Sequence, residues 1–143
     1  MDRGSIPLTS TKRNSDIIYY MPNCWKICTF EERPWGSFEI LIDKPSYKVK
    51  RIIVKNGHRL SLQYHNKRDE NWVIVQGKAN VQLDRDGENC KVYERGESLY
   101  ISRFTPHRVS CQSEEDLIFI ETQTGEYFGE DDIVRLEDDY NRE

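Results

Sequence analysis

The sequence has only three histidines, four cysteines and no long apolar run, and each shortage excludes something. Cys24, Cys28, Cys90 and Cys111 include no C-x-x-C pair, so neither a redox dithiol nor the usual zinc pair is present. Reduced thiols in a cytoplasmic protein are the expectation. No stretch approaches membrane-spanning length, and Leu117-Ile118-Phe119-Ile120 is among the longest apolar runs. Met1-Asp2-Arg3-Gly4-Ser5 leads into no apolar signal region, which argues against secretion. A basic excess is missing too. Lys and Arg number 21 against 25 Asp and Glu, a net charge of -4, which disfavours a general nucleic-acid binder.

What remains is one domain's worth of chain, 143 residues with 32% charged. Residues 1–15 are polar and read as a flexible arm, with a single domain over 16–143. Ile17 to Tyr20 has strand character, and Arg33-Pro34-Trp35-Gly36 is turn-like. Beyond it strands are predicted at short intervals: Phe38 to Ile42, Tyr47 to Val54, Leu60 to His65, Trp72 to Gln76, Ala79 to Leu83, Lys91 to Tyr93, Ser98 to Ile101, Arg108 to Cys111 and Leu117 to Thr122. Asp84-Arg85-Asp86-Gly87 reads as a hairpin turn. Many short strands without a long helix predict an all-β sandwich or barrel. The acidic tail, Glu130-Asp131-Asp132 and Glu137-Asp138-Asp139, reads as a solvated helix face or cap, with Ile133, Val134 and Leu136 packing inward.

Two of the three histidines fall in one pattern with Gln63 and Glu70. Side chains alternate along a strand, so Ser61, Gln63 and His65 share one face while Leu60, Leu62 and Tyr64 take the other. The turn Asn66-Lys67-Arg68-Asp69 then brings Glu70 back towards the same space, and His107 enters from across the barrel. One carboxylate, two imidazoles and an amide oxygen make a tetrahedral or octahedral set for a divalent metal. Singly, each is ordinary: Gln-x-His is usually a polar strand face. Together, framed by Gly57, Gly77 and Gly96, they are specific. His58 reads as exposed, and Trp35 and Trp72 as core.

These blocks resemble the two cupin motifs. Gly57, His65, Glu70 and Gly77 fit the first, with Gln63 at the first histidine position, and Gly96 and His107 fit the second. Arg33 to Glu39, Tyr47 to Arg51, Leu60 to His65 and the stretch Glu121 to Tyr140 are similar to the C-terminal cupin domain of type II mannose-6-phosphate isomerases, over roughly residues 31–142. That domain commonly follows a mannose-1-phosphate guanylyltransferase in bacteria, and 143 residues leave no room for one here. The resemblance implies a double-stranded β-helix (jelly-roll) cupin with a short acidic C-terminal segment. It also implies a homodimer, for which the aromatic segment Ile17 to Trp25 offers an interface.

The resemblance further implies interconversion of mannose 6-phosphate and fructose 6-phosphate, serving mannose and polysaccharide metabolism, with a small-molecule sugar phosphate as partner. Gln63, His65, Glu70 and His107 are then the metal set, for zinc first, with manganese, cobalt, nickel or iron as alternatives. Arg68 matches the arginine of the family's H-x-x-R-x-E-x-W block and is, with Glu70, a catalytic candidate. Glu70 can act as base only if it is not a tight ligand. Arg68, Lys50, Arg59, Arg108 and Arg135 are candidates for the phosphate.

The chain departs from the pattern H-H-H-R-x-E-H-W at Asn66, Lys67 and Asn71, and from I-P-x-G-x-x-H-R at Ser102 and Phe104. Phe104 puts a bulky ring where a compact turn is usual, at the mouth of the barrel. These departures keep two other readings open: a non-catalytic cupin that binds a sugar phosphate or nucleotide sugar beside a separate nucleotidyltransferase, and an iron-dependent oxygenase.

Overall fold

Strands present alternate residues to opposite faces, and here the inward set changes character along each strand. The structure, a computed structural model, describes residues 29–142. In β5 (Arg68–Gln76) the buried positions run Arg68, Glu70, Trp72, Ile74; in β10 (Leu117–Gly125) they run Leu117, Phe119, Glu121, Gln123; in β3 (Tyr47–Val54) they run Lys50, Ile52, Val54. One end of the barrel is therefore an apolar core and the other a buried polar layer. Trp72, Ile74, Leu117 and Phe119 are no more than 1% exposed. Burial of each such side chain contributes about 1.5–3 kcal/mol against chain entropy.

Two sheets enclose this interior. The larger has the order β1-β2-β3-β10-β5-β8, adding β1 (Thr29–Arg33), β2 (Gly36–Asp43) and β8 (Ser98–Ile101). All its pairings are antiparallel. The facing layer contains β7 (Cys90–Tyr93), β6 (Ala79–Gln82) and β9 (Arg108–Cys111) in the order β7-β6-β9, and a pair of β4 (Leu62–His65) with β11 (Ile133–Glu137). Backbone bonds join these two groups. Leu60 N–H donates to Val109 O, and Gln63 and His107 exchange bonds at 3.0 and 2.8 Å. This is the all-β, double-stranded β-helix expected from the sequence. Among the described residues no helix is long and apolar enough to cross a membrane.

All nine strands predicted beyond Gly36 are present, three with the predicted bounds and six with shifted ends, and β1 and β11 are additional. The tail is a correction. Its charges form a three-residue 3₁₀ turn, Glu130–Asp132, followed by β11, which pairs antiparallel with β4. A helix face in solvent is displaced by partners on the barrel. Asp132 accepts from the Asn66 and Lys67 N–H groups, Glu130 meets Lys50, Glu137 meets Arg108, and Asp139 meets Arg59. His58 is also half-buried rather than exposed, stacked on Tyr140 with Nδ1 2.8 Å from its hydroxyl. Trp35 and Trp72 are in the core, and the Asp84 carboxylate accepts from Gly87 and Asn89 N–H to close the predicted hairpin turn. Cys90 is exposed and Cys111 buried, both as free thiols. The arm over 1–15, the Ile17 to Tyr20 strand, the Ile17 to Trp25 interface and Cys24 and Cys28 lie outside the described residues.

Gly36 shows how tightly the larger sheet closes. Its φ is +152°, and a Cβ there would fall inside contact distance of the Ile53 carbonyl oxygen on the neighbouring strand. Gly36→Ala is expected to lower stability by about 3 kcal/mol or more, through backbone displacement and strain. Equilibrium urea unfolding checks this; a loss below about 1 kcal/mol would contradict the close approach.

Candidate metal centre

The polar end of the barrel brings together His65, Glu70 and His107, each 2% exposed. His65 ends β4, Glu70 is the third residue of β5, and His107 immediately precedes β9. One ligand atom from each lies within 4.8 Å of the others. His65 Nε2 is 3.0 Å from Glu70 Oε1, and His107 Nε2 is 3.6 Å from Oε2. Neither contact has hydrogen-bond geometry, and both Nε2 atoms are buried without a hydrogen-bond partner. Orphaned buried polar atoms are costly, and two imidazole nitrogens converging on one carboxylate form a site for a cation.

The surroundings fix that geometry. His107 Nδ1 lies 2.9 Å from the Thr105 carbonyl oxygen, which can only accept, so Nδ1 carries the proton and Nε2 keeps its lone pair. Trp72 packs edge-on against the His107 ring at 5.7 Å and donates from Nε1 to Glu70 Oε2 at 3.1 Å. Arg68 donates from Nε to Glu70 Oε1 at 3.3 Å. Burial alone would push the Glu70 carboxyl up, but His65, His107 and Arg68 outweigh it and hold it well below the usual carboxylate range. Burial, reinforced by His65 and opposed by Glu70, lowers His107 and favours its neutral, ligating form. The donor set thus fits a divalent metal.

Gln63 lines the adjoining cleft, and its Oε1 accepts from Ser61 Oγ at 2.6 Å. Arg68, Lys50 and Arg135 also line it. Lys50 holds Glu130 at 3.2 Å and lies over the Phe38 ring. Arg59 and Arg108 are not among the lining residues. Arg59 is exposed and clamps Asp139, while buried Arg108 binds Leu60 O and Glu137, so both fasten the tail to the barrel. The sequence reading missed Arg33, Arg142, Glu121 and Gln123 on the cleft wall. Glu121 and Gln123 had a signal: they continue the inward alternation of Leu117 and Phe119 with polar residues, which a core strand tolerates only with a reason. Arg142 had none, since the Asp138 carboxylate that seats it is placed by the tail's fold.

Buried Glu121 has its carboxyl raised to about 7, first by burial and then by Glu70, against the pull of Lys50 and Arg68. A carboxyl raised on folding binds its proton more tightly in the folded state. The folded state therefore loses relative stability as pH rises from about 4.5 through about 7. In the metal-free protein, Glu121→Gln is expected to gain on the wild type across that window, by on the order of 1–3 kcal/mol. Urea unfolding at several pH values checks this; a difference that does not vary with pH would contradict it. For the metal centre itself, His65→Ala and His107→Ala should each weaken binding of zinc or manganese by more than about 100-fold. Trp72→Phe, which removes only a supporting donor, should weaken it by about tenfold. Titration against a competing chelator measures both, and retention of wild-type affinity in both alanine variants would exclude the site.

The family model described as Mannose-6-phosphate isomerase C-terminal matches residues 25–138. The xanthan biosynthesis protein XanB of Xanthomonas campestris is 43% identical over 110 residues, 77% of this chain and 23% of the relative. The alginate biosynthesis protein AlgA of Pseudomonas aeruginosa is 43% identical over 110 residues, 77% of this chain and 22% of the relative. The mannose-1-phosphate guanylyltransferase of Escherichia coli K12 is 41% identical over 110 residues, again 77% and 22%. The chain thus spans less than a quarter of the length of these relatives. Among solved structures, a Klebsiella pneumoniae protein with a double-stranded β-helix domain superimposes with a TM-score of 0.61 at 13% identity, over 70% of this chain and 83% of that one. A cupin from Shewanella frigidimarina gives 0.61 at 20%, over 73% and 87%. Fold, motif and matched length together make this chain a member of the mannose-6-phosphate isomerase C-terminal family of cupins.

Proposed function

We infer that this chain isomerises a phosphorylated hexose between its aldose and ketose forms, with mannose 6-phosphate and fructose 6-phosphate the leading pair. The observation that carries the reading is a two-histidine, one-carboxylate cluster whose Glu70 lines a cleft shared with Arg33, Lys50, Arg68, Arg135 and Arg142. A carbonyl-activating centre and a cationic wall for a dianionic phosphate are the two things this reaction needs together.

His65, Glu70 and His107 would hold the metal, with Gln63 as a fourth donor and zinc as the first choice. A bound divalent ion supplies Lewis acidity to the carbonyl and the adjacent hydroxyl, lowering the cost of enediolate charge. Arg68 acts through Glu70, holding the carboxylate oriented at 3.3 Å. The guanidinium groups along the wall bind and orient the phosphate by paired N–H donors. The relatives named for xanthan and alginate biosynthesis support a role in supplying mannose units for polysaccharide.

The test is a coupled assay of fructose 6-phosphate formation from mannose 6-phosphate. Metal-stripped protein is reloaded with zinc, manganese, cobalt or iron, and His65→Ala is the control. The expected outcome is metal-dependent turnover that falls by at least about 100-fold in the variant. Sugar-phosphate binding without turnover under any metal would replace this reading with the binding module. Oxygen consumption confined to the iron form would replace it with the oxygenase.

A further inference from the structure

An aldose–ketose exchange needs a group that takes a proton from one carbon and returns it to the next. The cleft wall offers few candidates. Its carboxylates are Glu70, Glu121 and Glu130. Glu70 is committed to the metal cluster and to Arg68 and Trp72. Glu130 stands in an ion pair with Lys50.

Glu121 differs from both. It is 5% exposed, and its described hydrogen bond is from Gln123 Nε2 to Oε1 at 2.5 Å. It takes part in none of the described ion pairs, Lys50 meeting Glu130 and Arg68 meeting Glu70. Lys50 is its direct cross-strand neighbour on β3, yet the ammonium is drawn off to Glu130 at 3.2 Å. On the other side Glu121 faces Trp72 of β5, and Gln123 faces Glu70. Glu121 and Glu70 are therefore diagonal neighbours on one inward face, with about 7–8 Å between their backbones. A substrate whose carbonyl lies at the metal cluster presents its adjacent carbon to that gap.

The charged groups around it are Lys50 from β3, Glu70 and Arg68 from β5, and Glu130 from the tail. Gln123 Nε2 holds one oxygen and leaves the other to act.

We propose that Glu121 is the general base and acid of the isomerisation, carrying the proton between C2 and C1 of the sugar phosphate. This rests on the isomerase reading. In the forward step the C2–H bond breaks and the proton goes to a Glu121 oxygen. The electron pair forms the C1=C2 bond, and the carbonyl pair moves onto O1, giving the enediolate. The O2 proton passes to O1, the C=O bond forms at C2, and Glu121 returns its proton to C1. Atoms and charge balance, and Glu121 ends as it began.

The test uses the full chain, metal-loaded, with mannose 6-phosphate in deuterium oxide. The wild type should form fructose 6-phosphate carrying deuterium at C1. Glu121→Gln should lower kcat by at least about 100-fold with KM changed less than about threefold, and should lose C–H exchange in parallel. Its metal content should match the wild type and its unfolding should stay cooperative, and Glu121→Asp should retain intermediate activity. Wild-type turnover with Glu121→Gln within tenfold of it overturns the proposal and spares the isomerase reading. Loss of bound metal from Glu121→Gln, with activity restored at higher metal concentration, also overturns it, leaving Glu121 as a support of the centre. A metal-loaded wild type with neither turnover nor exchange overturns the isomerase reading, and the proposal with it.

Discussion

The rest of the structure depends on one buried carboxylate. Glu70 is only 2% exposed, so the barrel supplies what bulk water would: N–H donors from the Arg68 guanidinium and the Trp72 indole, with the imidazoles of His65 and His107 beside it. Three constraints place these groups. His65 is set by the alternation of β4, Arg68 and Trp72 by that of β5, and His107 by the Gln63–His107 backbone exchange that joins the layers of the facing sheet. Moving any strand by one residue would turn its contribution outward. The apolar end of the barrel, packed around Trp72 and Phe119, fixes that register.

The acidic tail extends the same logic. Seen alone, its carboxylates look like a solvent-facing patch. Folded, they are counter-charges: buried Lys50 and Arg108 and exposed Arg59 of the barrel each meet a tail carboxylate, and Asp138 seats Arg142 within the tail itself. Asp132 is buried and caps the turn between β4 and β5, so the tail also holds the loop that carries the chain from His65 to Glu70. The tail is also part of the site, since Glu130, Ile133, Arg135 and Arg142 form one wall of the cleft.

The fold and the heart of the site were legible because both rest on period two. Gln63 and His65 share a face by alternation, and nine strands announced themselves by apolar runs between turns. What escaped depended on partners far away in sequence. Ile133, Val134 and Leu136 suit a helix face as well as a strand, and it is pairing with β4 that makes Ile133–Glu137 a strand. Arg59 and Arg108 look like any phosphate-binding arginines until Asp139 and Glu137 arrive. Glu121 was the avoidable miss: a glutamate that continues the inward alternation of Leu117 and Phe119 is an anomaly visible without coordinates.

The departures from the family pattern fall on one side of a physical divide. Asn66, Lys67, Asn71, Ser102 and Phe104 are all exposed, whereas His65, Arg68, Glu70 and His107 are all buried. Phe104 is the instructive one. Its backbone keeps the left-handed conformation, φ 67°, that suits the glycine usual there, and its N–H donates to His65 O at 2.7 Å. Its ring, 61% exposed, is not among the residues lining the cleft. The turn has thus kept its shape against the steric preference of its own side chain, which costs roughly 1–2 kcal/mol. That cost is tolerated because the turn's hydrogen bond positions the His65 backbone. The departures thus lie on the surface, while the buried residues that would hold a metal keep the pattern.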